Sequence, residues 1–146
     1  MDQHTHSQLP ADWWALGTPQ RHLLLTDLWE FTRKLVRSYR LPSPIVPPCW
    51  FRHDELIQEL LALKQYREDQ FSQPSQGAAF DFHGQLQLWI ARMRFWVVET
   101  GCTGNEHVAK TPPMWIVPGS VAAVRAEAAL DELLGGDKLV ATGADR

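Results

Sequence analysis

Ala79-Phe80-Asp81-Phe82-His83-Gly84-Gln85-Leu86-Gln87-Leu88-Trp89-Ile90-Ala91-Arg92-Met93-Arg94-Phe95-Trp96-Val97-Val98-Glu99-Thr100 is the stretch that decides the fold class. Phe82, Leu86, Trp89, Met93 and Trp96 recur at 4-3-4-3 spacing, the repeat of one helical face, and Ile90 and Val97 widen it. Gly101 follows, the residue type that most readily takes the left-handed conformation ending a helix. A second ridge, Leu88 and Phe95, lies opposite the first on the same wheel. A helix apolar on two sides is central to its domain or shared with a partner. Leu88 and Phe95 are therefore candidate partner-binding residues, to be covered by the C-terminal part of the chain or by another chain. The first case gives the C-terminal third something to pack on.

Towards the N-terminus, Ser72-Gln73-Pro74-Ser75-Gln76-Gly77 interrupts the helical pattern. A second helix is expected from about His53, with Asp54 and Glu55 in its first turn, where the helix dipole favours negative charge. Its apolar stripe is Leu56, Ile57, Leu60, Leu63 and Phe71. Pro42, Pro44, Pro47 and Pro48 precede it and predict a stiff, extended connection. The first helix starts at Thr18, a capping hydroxyl before Pro19, and runs to Arg40. It carries Leu24, Leu25, Leu28, Phe31, Thr32, Leu35, Val36 and Tyr39 on one side. Residues 1–17 form a tail in which Trp13, Trp14 and Leu16 are too apolar to stand together in water. They are expected to fold back beside helix one, and Trp13 and Trp14 are further candidate partner-binding residues.

Beyond Gly101, residues 102–119 hold Gly104, Pro112, Pro113, Pro118 and Gly119, so they are loop or extended, with Met114 to Val117 as an apolar strap over the bundle. Ser120 caps a shorter fourth helix from Val121 to Leu134, which Gly135-Gly136 is expected to stop. The architecture that follows is all-α: a small bundle of three long helices and a shorter C-terminal one, braced by Pro-rich loops. One helical domain spans 18–136, between the tail 1–17 and a flexible C-terminal tail 137–146.

Composition narrows the functional classes. The chain has 146 residues, enough for one domain with a real core, and is 45% hydrophobic and 21% charged. A net charge of −3 offers no whole-molecule attraction to nucleic acid or anionic lipid. Arg33, Lys34, Arg37 and Arg40 form a solvated helix face, so a nucleic-acid partner is not expected. No apolar run reaches the ~18 residues needed to cross a bilayer. The N-terminal residues lack the basic flank and apolar run of a signal peptide, and two cysteines are too few for a disulfide scaffold. A cytoplasmic protein is expected. Seven tryptophans imply a core of large rings or an aromatic surface for a partner.

Two pairs carry the chemistry. Cys49-x3-His53 and Cys102-x4-His107 each join a soft sulfur to an imidazole where helix meets loop. If helices two and three pack antiparallel, the start of one nears the end of the other, and Cys49, His53, Cys102 and His107 become a Cys2His2 set suited to tetrahedral zinc. Neither spacing is the usual one for such a pair, and Cys49 among apolar neighbours also fits a small core hydrophobe. His53, one helical turn from Cys49, equally allows a nucleophile–base dyad. No G-x-S-x-G, H-E-x-x-H or G-x-x-x-x-G-K signature accompanies it. His83 is expected as a border residue of helix three, and His4 and His6 as tail residues that chelate metal only adventitiously.

Leu41 to Glu68, with Pro48-Cys49-Trp50, then Arg52-His53 and Glu59-Leu60-x2-Leu63, resembles a family of unknown function from actinobacterial plasmids, phages and integrated elements. Phe82-His83 and the aromatic helix behind it resemble that family's second half. The likeness spans about residues 20–100 and rests on Pro48, Cys49, Trp50, His53 and His83; it departs at Asp54, where the family pattern has proline. It implies an accessory role on a mobile element and brings no reaction, cofactor or catalytic residue. The function expected is a non-enzymatic helical interaction module acting through a protein partner or through itself. The alternatives are a zinc-stabilised domain and an undetected hydrolase or transferase built on Cys49 and His53.

Overall fold

Four α-helices and no strand occur among residues 11–142, the part of the chain that the computed structural model describes: α1 (Thr18–Tyr39), α2 (Asp54–Ser72), α3 (Ala78–Thr100) and α4 (Val121–Thr142). The fold is all-α. The chain divides into two compact units, one ending at Val108 and one beginning at Ala109, a boundary that falls within the stretch 18–136 expected as a single domain. Residues 1–10, with His4 and His6, and residues 143–146 lie outside the described residues.

In the first unit, α2 and α3 form an antiparallel hairpin. His53 meets Cys102 at one end, Glu59 meets Trp89 and Arg92 midway, and Phe71 meets Phe82 at the other. The main stripe of α3 is buried as its periodicity requires, with Phe82 and Met93 fully enclosed; Trp96, at its edge, is partly exposed. Trp89 shows how a polar ring fits this core. Its indole N–H donates to the Glu59 carbonyl at 2.9 Å, so burial leaves no unpaired donor. The Glu59 carboxylate in turn accepts a two-pronged contact from Arg92, which ties the helices in one register. On α2, Leu56, Ile57, Leu60, Leu61 and Leu63 are buried, while Phe71 is half exposed beneath Arg67, whose guanidinium sits 4.5 Å from the ring centre.

α1 covers this hairpin with Leu28, Thr32 and Leu35 buried and Leu24, Leu25, Phe31, Val36 and Tyr39 partly so. Its start differs from the expected hydroxyl cap: Thr18 is already helical and Gly17 takes the capping position. Its end is a left-handed Arg40 (φ 52°), after which the Leu41 N–H donates to the Val36 carbonyl. The proline segment is not extended as expected. The N–H groups of Ile45 and Val46 donate back to the Pro42 carbonyl, so the chain turns and buries Leu41, Ile45, Val46 and Pro47. Proline fixes φ without forbidding a turn, and burial of the intervening apolar residues selects it.

The N-terminal hook is half right. Trp13, in a 3-10 turn over Trp13–Ala15, is buried, Leu16 packs on the same core, and Arg21 stacks on the Trp13 ring. Trp14 is 81% exposed. Adjacent residues of a 3-10 turn point about 120° apart, so the two indoles cannot share one surface.

In the second unit a 3-10 turn, Met114–Ile116, packs with α4. The Ser120 hydroxyl accepts from the Ala123 N–H, capping α4 as expected. The double glycine does not stop the helix, which continues through Gly135 to Thr142 and is as long as α1. An interior glycine weakens a helix by about 1 kcal/mol without terminating it. No helix among the described residues is long and apolar enough to cross a membrane.

Candidate metal centre

Cys49, His53, Cys102 and His107 meet at the open end of the α2–α3 hairpin, with their ligand atoms all within 4.8 Å of one another. The four could hold a metal ion. Each pair is brought in by local backbone chemistry that accounts for its spacing. Cys49 and His53 bracket a 3-10 turn, Trp50–Arg52, anchored by the buried Trp50. Cys49 caps its start, and His53 closes it with an N–H to the Trp50 carbonyl. The His53 carbonyl then receives the first N–H groups of α2, from Leu56 and Ile57, so the imidazole is fixed at a helix boundary.

The second pair sits on the loop that follows the left-handed Gly101 (φ 73°). Thr103 organises it: its N–H donates to the Glu106 carbonyl, and its hydroxyl accepts from the Asn105 and Glu106 N–H groups. A Cβ on Gly104 would lie 2.9 Å from the Ser43 hydroxyl, so a side chain at residue 104 would force Ser43 to shift where this loop closes against the proline segment. The turn sends His107 back over Cys102.

His53 Nε2 lies 3.3 Å from Cys102 Sγ and 3.6 Å from Cys49 Sγ, and His107 Nδ1 lies 3.5 Å from Cys102 Sγ. The two imidazole rings are 5.0 Å apart. Burial pushes the Cys49 thiol up, and the hydrogen bond and charge of Cys102 push it further. Burial also acts to raise Cys102, but hydrogen bonds from the Val108 backbone and the Thr100 and Cys49 side chains outweigh it, and that thiol is lowered overall. The Val108 N–H reaches Cys102 Sγ at 3.2 Å, an outer contact of the kind that orients a metal-binding thiolate. Cys102 and His53 are buried, whereas Cys49 and His107 are partly open, facing a pocket of about 250 Å³ that Phe51, Arg52, Asn105 and Glu106 also line.

Thr100 and Val108 carried no signal in the sequence. The fully buried Thr100 hydroxyl donates to the Val97 carbonyl and accepts the Cys102 N–H, which sets where the Cys102 side chain starts. Of the other residues singled out, His83 lies apart from this cluster as a border residue, its Nε2 3.1 Å from the Tyr39 hydroxyl. Trp13 is core, and Trp14, Leu88 and Phe95 are exposed.

No family model, curated protein or solved structure matches the chain.

Proposed function

We propose that the first unit is a zinc-stabilised helical domain in which Cys49, His53, Cys102 and His107 close the hairpin through one tetrahedral ion. A tetrahedral zinc with Zn–S of about 2.3 Å and Zn–N of about 2.0–2.1 Å holds sulfur and nitrogen about 3.5–3.6 Å apart. The observation that carries the reading is that four ligand atoms lie within 4.8 Å of one another, three of their sulfur–nitrogen separations, 3.6, 3.3 and 3.5 Å, being close to that value. One imidazole nitrogen faces two sulfurs, an arrangement that serves a shared ion; a general base serves one nucleophile. Four protein ligands leave no coordination position for substrate or water, so an ion held there would be structural rather than catalytic. That fits an interaction module with an accessory role, in line with the family resemblance.

The test is metal analysis of untagged protein lacking residues 1–6, which removes His4 and His6. One zinc per chain is expected, lost in Cys49→Ser and in Cys102→Ser. Cobalt(II) in its place should show the intense visible bands of a tetrahedral sulfur–nitrogen site. Metal-free protein that is fully folded overturns the reading.

A further inference from the structure

The outer face of α3 has a pattern that the fold of the first unit does not use. Phe80, Gly84, Leu88, Ala91, Phe95 and Val98 are all exposed, with Phe80 at 83%, Leu88 at 59%, Phe95 at 58% and Val98 at 75%. At about 100° per residue these six occupy roughly 80° of arc, opposite the buried stripe. Their spacing of 4, 4, 3, 4 and 3 is that of a helix–helix seam.

Gly84 is the telling member. A Cβ there would meet nothing within 4 Å, so among the described residues of the first unit nothing requires glycine, and glycine weakens an exposed helix relative to alanine. Along the seam, the small residues Gly84 and Ala91 alternate with the large Leu88 and Phe95. Turned end for end about a point between Trp89 and Ile90, the seam complements itself: Phe95 falls opposite Gly84, and Leu88 opposite Ala91. Isologous contact requires this self-complementarity.

From these observations we infer that α3 is the contact face of a symmetric antiparallel homodimer, in which each Phe95 enters the hollow that Gly84 leaves on the other copy. The area is sufficient. An aromatic side chain offers about 150–250 Å², so the two phenylalanines, Leu88 and Val98 present on the order of 500 Å² per copy. A pair then removes roughly 1,000 Å² from water, the lower edge of a specific interface. The dimer is accordingly reversible and concentration-dependent.

Sedimentation of the full chain over a concentration series tests this. The expected result is a rise from the 16.7 kDa chain mass to twice that value. Gly84→Leu fills the hollow from an exposed position of α3 where a Cβ meets nothing, and should shift the protein to monomer at every concentration with helix content unchanged. Phe95→Glu should do the same. A wild-type monomer throughout the series overturns the inference and leaves the ridge to a different partner. A dimer that survives Gly84→Leu overturns this face as its contact. Should Phe95→Glu unfold, the Gly84→Leu result decides.

Discussion

His53 and Cys102, separated by 49 residues, stand 3.3 Å apart (Nε2 to Sγ) because α2 begins where its antiparallel neighbour α3 ends. This contact closes the open end of the hairpin, opposite the 73–77 connection. A bound metal would stabilise the native chain by mass action, about 2.7 kcal/mol at a hundredfold excess over its dissociation constant. For a domain of this size that corresponds to a rise in Tm on the order of 10 °C. Chelation should lower Tm by that amount in the wild type and leave Cys102→Ser unchanged, as calorimetry can check.

Trp89 should be the costliest single truncation in the bundle. Its ring is 1% exposed and its N–H is committed to the Glu59 carbonyl. Trp89→Ala is expected to lose about 3–5 kcal/mol in urea unfolding. Trp89→Phe keeps most of the volume and removes one hydrogen bond, while the Glu59 carbonyl keeps its helical partner inside α2, for about 0.5–1.5 kcal/mol.

The two neighbouring tryptophans of the hook should part company. Trp13→Ala removes a 5%-exposed ring with Arg21 stacked 4.5 Å from its centre and should cost about 3 kcal/mol. Trp14→Ala should stay within about 0.5 kcal/mol of wild type. Equal effects for the two variants would show that the hook does not dock as described.

Lys64 predicts an alkaline dependence. Burial lowers its pKa, but hydrogen bonds and charge from Glu68 and Asp27 outweigh that, and the net shift is upward from 10.5. The native state therefore binds the proton more tightly than the unfolded chain. The stabilisation is complete below the unfolded value and fades as pH rises through the higher folded one. The stability gap between wild type and Lys64→Met, a few tenths to about 1 kcal/mol, should hold at neutral pH and close above about pH 10.5. Thermal melts across that range will show whether it does.

Features set by neighbouring residues were legible in advance. The buried face of α3 follows from apolar spacing and the Gly101 terminus from its tolerance of positive φ; both are local. In the proline segment and around Cys102, burial and hydrogen bonding that residue types do not announce decided instead. The proline segment folds into a turn because Ile45 and Val46 have a core to enter. Thr100 and Val108 orient Cys102 through a buried hydroxyl and a main-chain N–H, and no residue type announces those.

By itself, the sequence determined that the chain is helical, where the long helices of the bundle lie, and that two sulfur–imidazole pairs flank α2 and α3. Helical periodicity and metal-ligand chemistry both belong to residue types at short spacing. Only the tertiary structure decided that the two pairs converge. Their meeting depends on the register of one helix along the other, and that register is set between residues far apart in the chain. Trp89 bonded to Glu59, 30 positions away, aligns the hairpin. A slip of one turn, about 5.4 Å, would carry His53 out of reach of Cys102. The same dependence separates Trp13 from Trp14, identical side chains on adjacent residues, because a core lies on only one side of their turn.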